Sequence, residues 1–222
     1  TGSGKSTLVN LIPRFYDPKN GRVYIDGCDM TEIDPAHLRR HTATVPQKAL
    51  LFSGTIRENL LWGSAEATEE ELKAAAQAAC AEEFIEKTPN GYDSVLGQGG
   101  VNLSGGQKQR LSIARALVRK PKILVLDDCT SALDATTEAK VLKNLRNLFT
   151  DTTVLLVSQR VSAVMCAQRV LCLDNGRVKG LGTHEELLKI CDVYREIYRS
   201  QIGDSEEKDI NINKYKEEEQ NV

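Results

Sequence analysis

The chain has 222 residues, enough for one domain or a domain with a small insert, and enough to bury a core. Its 29 Lys and Arg stand against 31 Asp and Glu, a formal charge of -2, so composition gives no basic footprint for nucleic acid or for an anionic membrane surface. Six cysteines (Cys28, Cys80, Cys129, Cys166, Cys172 and Cys191) form no CxxC pair and mostly lie in apolar runs, which predicts buried, reduced thiols and a cytosolic compartment. No apolar stretch is long enough to span a bilayer, and no signal peptide is recognisable.

In chain order, Thr1-Gly2-Ser3-Gly4-Lys5-Ser6-Thr7 is the body of a phosphate-binding loop of the form G-x-x-x-x-G-K-[ST]. Its leading glycine falls upstream of Thr1, so the sequence is expected to be a piece of a longer chain. A helix is predicted from Ser6 to Leu11, a short strand within Gly21–Gly27, and a strand from His41 to Gln47. Thr68-Glu69-Glu70-Glu71 is a capping box that starts an Ala-rich helix over Glu69–Cys80. The pattern from about Ile56 to Val101 is mostly helical, and a further helix runs from Lys108 to Arg119, stopped by Pro121. Ile123-Leu124-Val125-Leu126 reads as a strand buried on both faces of a parallel sheet. A helix over Glu138–Leu148, a second buried strand over Thr153–Val157 and a short helix near Ala163–Ala167 follow. Arg169–Val178 reads as a hairpin turning at Asn175-Gly176, and one helix is predicted over His184–Tyr198. From about Asp204 the chain is polar and aperiodic, which predicts a disordered tail. Strands alternating with helices imply an α/β fold around a parallel sheet.

The chemistry resides in a few of these segments. Gly2 and Gly4 let backbone N–H groups turn inward around an anion; Lys5 places a charge on the β- and γ-phosphates, and Ser6 offers a hydroxyl to Mg²⁺. The following helix adds its positive end. Asp127, at the end of the apolar strand, is the candidate second Mg²⁺ contact. Leu103-Ser104-Gly105-Gly106-Gln107 is a glycine-rich turn opening a helix, whose free N–H groups and Ser104 hydroxyl suit a γ-phosphate. Two phosphate-cradling helix ends would compete for one anion within a chain, so the nucleotide of another chain is its natural target. That arrangement is a head-to-tail dimer around ATP.

These motifs together resemble the nucleotide-binding domain of ABC (ATP-binding cassette) transporters, most closely the exporter type. The phosphate loop, Gln47, Leu103–Gln107, Asp127 and Ser131-Ala132-Leu133-Asp134 occur in the family's order. Leu51-Phe52-Ser53-Gly54-Thr55-Ile56-Arg57-Glu58-Asn59-Leu60 is similar to the exporter pattern after the loop glutamine. The resemblance implies a P-loop NTPase core with a RecA-like parallel sheet plus an ABC helical subdomain at about 56–119. The domain would cover 1–203, with a charged tail at 204–222. It implies nucleotide binding by Thr1, Gly2, Ser3, Gly4, Lys5, Ser6 and Thr7. Ser104, Gly105, Gly106 and Gln107 would bind nucleotide across the dimer, and Ser6, Gln47 and Asp127 would bind Mg²⁺. Catalytic roles fall on Gln47, Asp128 and Gln159. The implied partners are a second ABC nucleotide-binding domain and a membrane-spanning domain upstream, at the cytoplasmic face of the cell membrane.

Three positions depart from the family pattern. Asp128 stands where Glu usually polarises the attacking water, and its carboxylate falls about 1.5 Å short. Gln159 stands where His is usual; it can hydrogen-bond a γ-phosphate but cannot carry charge or relay a proton. Gly97-Gln98-Gly99-Gly100 has Gln in place of the Glu common in exporters. The first two predict a site that binds ATP and cleaves it poorly, similar to the degenerate cassette of heterodimeric bacterial exporters. Three rivals stand: a symmetric homodimeric ABC exporter with slow hydrolysis; a soluble ABC ATPase of DNA repair or chromosome maintenance, which would need a coiled coil before Leu103; and a small-molecule kinase, which would lack the Leu103–Gln107 turn. The three histidines, His37, His41 and His184, carry little functional signal.

Overall fold

The computed structural model describes residues 2–202 and divides the chain into two compact units, residues 6–158 and a second unit made of the residues up to Lys5 together with those from Gln159 onward. The 204–222 tail and Thr1 lie outside the described residues.

Helix α1 (Lys5–Val9) follows the glycine-rich start. In the larger unit, β1 (Tyr24–Ile25) and β2 (Cys28–Asp29) form a minimal antiparallel hairpin. The turn between them takes Asp26 and Gly27 to positive φ, which shortens the strand expected over Gly21–Gly27. Helix α2 (Pro35–His41), not anticipated above, is started by Asp34, whose carboxylate accepts the His37 N–H, with Pro35 in the first turn. It consumes the first residue of the strand expected over His41–Gln47, leaving β3 as Thr42–Val45.

The sheet that organises this unit has the order β3-β6-β7, all parallel, with β6 (Ile123–Asp127) in the centre and β7 (Thr153–Val157) beside it. Its registers run Thr42 opposite Ile123 and Ile123 opposite Thr153. Leu124, Val125 and Leu126 are fully buried, as an unbroken apolar run in a central strand requires. β7 (Thr153–Val157) has the expected span but not the expected burial: Thr153 and Val154 are exposed because β7 is the edge of the described sheet.

The segment from β4 (Gly54–Thr55) through β5 (Val95–Leu96) carries α3 (Ile56–Leu61), α4 (Glu69–Ala78) and α5 (Glu82–Glu86). Thr55 with Glu58, and Thr68 with Glu71, form complete capping boxes. α4 stops before Cys80 because Cys80 takes a left-handed conformation. Arg57 joins this segment together, bonding Asp93 at 2.8 Å and pairing with Glu69, which holds its guanidinium above the usual arginine range. α6 (Gly105–Val118) packs Leu111, Ile113 and Leu117 into a core shared with Ile56, Leu60, Leu72, Leu124 and Leu126. α7 (Ala135–Leu148) is capped by Asp134 and buries Val141 and Leu145.

The smaller unit has its own core. α8 (Val161–Val164) precedes the hairpin of β8 (Val170–Asp174) and β9 (Arg177–Gly182), with Asn175 and Gly176 both at positive φ as a tight two-residue turn demands. The helix expected over His184–Tyr198 is two helices, α9 (His184–Ile190) and α10 (Asp192–Ile202), broken where Cys191 adopts extended backbone. Val170, Cys172, Leu187, Cys191, Tyr194 and Tyr198 fill the space between hairpin and helices. Cys129, Cys172 and Cys191 are buried as expected; Cys28 and Cys166 are exposed, because β2 is a two-residue edge and Cys166 lies in the turn after α8. Among the described residues no helix is long and apolar enough to cross a membrane.

Candidate nucleotide site

Strand β6 delivers two carboxylates to one end of the sheet. Asp127, its last residue, accepts a hydrogen bond from the Ser6 hydroxyl at 2.9 Å across 121 positions of sequence. Two of the three side chains expected at Mg²⁺, Ser6 and Asp127, therefore meet. The next residue, Asp128, leaves the strand in a left-handed conformation at φ 49°, a region that favours short polar side chains among non-glycine residues. Its N–H donates to the Val157 carbonyl at 2.9 Å, and its carbonyl accepts from the Ser131 hydroxyl at 2.9 Å. The backbone is thus fixed on both sides of the carboxylate. Gln47, beyond the end of β3, donates its side-chain amide to Asp128 Oδ2 at 3.0 Å. Asp127 and Asp128 are both largely buried, and the buried Cys129 thiol beside them is pushed up to about 12 by burial and by the neighbouring carboxylates, so it stays neutral.

Hard oxygen donors around Asp127 suit Mg²⁺ in kind. Among the described residues no group of three or more His, Cys, Asp or Glu could hold a metal alone. Mg²⁺ bound with a nucleotide takes one or two protein oxygens and completes its shell with substrate phosphates and water.

In the smaller unit, Gly2 and Gly4 both sit at φ 88°. A Cβ at Gly2 would meet nothing within 4 Å, so conformation rather than space selects glycine there. Lys5 Nζ donates to the Ser3 hydroxyl at 2.7 Å, and the Ser3 carbonyl accepts the Gly176 N–H at 3.2 Å. Gln159 is exposed, and its main-chain carbonyl accepts the Gln201 amide at 2.6 Å.

The Ser104 turn is a complete capping box: the Ser104 hydroxyl accepts the Gln107 N–H at 3.2 Å, and Gln107 Oε1 accepts the Ser104 N–H at 2.9 Å. This is why α6 starts at Gly105, three residues earlier than the apolar pattern of Lys108–Arg119 indicated. Ser104 and Gly105 are exposed, while a Cβ on Gly106 would lie 3.2 Å from the Ala132 carbonyl. The turn thus rests on Ser131–Asp134 and presents its helix start outward. The positions that sequence reasoning missed are on the same helix. Gln109 donates to the Gln47 carbonyl, and Arg115 donates to the Leu50 carbonyl at 2.7 Å while its guanidinium lies 5.5 Å from the Phe52 ring centre. Their only sequence signal is a polar residue on a buried helix face.

The family model described as ABC transporter matches residues 1–131. The chain belongs to the ABC transporter family. It is 54% identical over 203 residues to the uncharacterized ABC transporter ATP-binding protein YfiB of Bacillus subtilis, covering 91% of this chain and 35% of that protein. It is 46% identical over 201 residues to the ATP-dependent lipid A-core flippase of Desulfotalea psychrophila, covering 90% of this chain and 35% of that one. Among solved structures it matches a bacterial Atm1-family ABC exporter with ATP bound at a TM-score of 0.88 and 40% identity, over 91% of this chain and 36% of that chain. The fold is that of an ABC ATPase. The chain spans about a third of the length of these relatives.

Proposed function

We propose that this chain is the nucleotide-binding domain of an ABC exporter, closing with a second nucleotide-binding domain around ATP at the cytoplasmic face of a membrane. A membrane-spanning domain upstream on the same chain would carry the substrate. The relatives that support this are an ABC exporter, a flippase and the putative multidrug export ATP-binding/permease proteins of Staphylococcus aureus, each longer than this chain.

The backbone N–H groups at Gly2 and Gly4 and the Lys5 ammonium would bind the phosphates. Ser6 and Asp127 would hold Mg²⁺, with Gln47 beside them; when bound, the ion neutralises charge that develops on the transferred phosphoryl group. Asp128 would orient water and Gln159 would contact the γ-phosphate. Ser104 to Gln107 would complete the partner's site, where the helix start of α6 stabilises charge on the partner's γ-phosphate.

The observation that carries the reading of this chain's own site as hydrolytically poor is Asp128. Its short side chain sits on a backbone pinned by Val157 and Ser131, and its carboxylate is engaged by Gln47. It cannot reach farther by moving its main chain. With Gln159 unable to take a proton, the site would retain ATP while the partner's site turns over, as in a heterodimeric exporter. The test is MgATP binding and turnover in the full-length chain alone: binding with turnover far below that of an ordinary cassette is expected, and ordinary turnover would contradict it.

A further inference from the structure

Gln109 is 4% exposed and lies among the apolar contacts of α6. A polar side chain at such a position costs stability unless its hydrogen bonds are made. Its amide N–H group donates to the main-chain carbonyl of Gln47, 62 residues earlier, while its Oε1 is buried with no partner among the described residues. Packing alone would favour an apolar residue of the same volume. Six residues along the same helix, Arg115 holds the Leu50 carbonyl at 2.7 Å. α6 therefore grips the Gln47–Leu50 segment at two main-chain points. From the end so fixed, the Gln47 side chain reaches Asp128 Oδ2 at 3.0 Å.

We infer that Gln109 is a positioning residue for Gln47: by holding its carbonyl, Gln109 sets the place of the Gln47 side-chain amide, one end of which meets Asp128 and the other of which is an oxygen donor for the nucleotide's Mg²⁺. The consequence is a physical link from the helix that starts at Ser104 to this chain's own carboxylate pair. The inference rests on the reading of the site as one for MgATP.

The test uses the full-length protein and photo-labelling of this chain by 8-azido-ATP, titrated in EDTA and in MgCl₂. In the wild type, magnesium should lower the half-saturating concentration about 10-fold, the scale of one charge-assisted contact. Gln109→Met, of similar volume without the donor, should shrink that gain to the level of Gln47→Ala and leave the EDTA curve unchanged. Gln109→Glu, which keeps the shape and loses the N–H, should do the same. The double variant Gln47→Ala with Gln109→Met should lose no more than Gln47→Ala alone, because the two act in series. A wild-type magnesium gain in Gln109→Met, or a double variant clearly worse than Gln47→Ala, overturns the inference. Labelling of the wild type without any magnesium gain removes the metal role of Gln47 and this inference with it. No labelling of the wild type at all would instead overturn the MgATP reading itself.

Discussion

On the proposed reading of this chain's own site as hydrolytically poor, replacing Asp128 by Glu and Gln159 by His together should make it hydrolytic. The extra methylene advances the carboxylate by about 1.5 Å. Because the Asp128 N–H is bonded to Val157 at 2.9 Å and its carbonyl to Ser131 at 2.9 Å, the side chain rather than the backbone takes up the added length. A misplacement of about 1 Å costs on the order of 10²-fold in rate, so the paired replacement should recover roughly that factor at this site. Either change alone should recover less, since base position and γ-phosphate contact act as a unit. A cost accompanies the gain: at φ 49° Glu is less favourable than Asp, and the Gln47 bond at 3.0 Å must be remade, so stability should fall by about 1 kcal/mol. The assay is steady-state ATPase of the assembled transporter with the partner's site silenced, alongside thermal unfolding. A double variant no faster than wild type would refute the argument from Asp128 and shift suspicion to the partner's Ser104-like turn.

Three further outcomes follow from local geometry. Gly63→Ala places a Cβ about 2.2 Å from the Arg115 carbonyl and should destabilise the protein by about 2 kcal/mol in denaturant unfolding; an unchanged midpoint would contradict the packing described. Thr68→Ala removes one half of a complete capping box and should cost about 1 kcal/mol, with faster amide exchange confined to the first turn of α4. Burial holds His184 below the ordinary histidine range, so below the ordinary pKa the unfolded chain binds more protons than the folded one. Its contribution is therefore full above the ordinary histidine pKa and is lost as pH falls through the folded value; the wild type should lose melting temperature faster than His184→Gln on acidification, and parallel curves would refute this.

Much of the core was legible because it follows from local rules. The run Ile123–Leu126 had to be a buried central strand, the Thr68 and Asn175-Gly176 signals act through their own neighbours, and each stands where expected. The structure departs from the expected elements where a cap or a distant partner decides the local conformation. Asp34 and Pro35 start a helix through a cap and a fixed φ rather than through apolar periodicity, and the Ser104–Gln107 box draws two glycines of the turn into α6. The exposure of Val154 depends on which strand lies beside β7, and the break at Cys191 separates two amphipathic helices that share one periodicity. The motif residues Ser6, Gln47, Asp127 and Asp128 were visible by type and order. Their pairing as Ser6 with Asp127 and Gln47 with Asp128 was not, nor was Gln109, whose partner is a main-chain carbonyl with no signature in sequence.

The asymmetry between this chain's own site and the one it completes is the central claim, and two variants compared side by side test it most directly. Lys5→Ala removes the ammonium that is proposed to bind phosphate in this chain's own loop and that donates to the Ser3 hydroxyl at 2.7 Å. Ser104→Ala removes a hydroxyl from the outward-facing start of α6, together with its bond to the Gln107 N–H at 3.2 Å. In steady-state ATPase of the reconstituted complex, Ser104→Ala should cut turnover severely, while Lys5→Ala should weaken nucleotide retention on this chain and leave measurable turnover. Equal loss in the two variants would contradict the account and identify a symmetric transporter in which both residues serve every site.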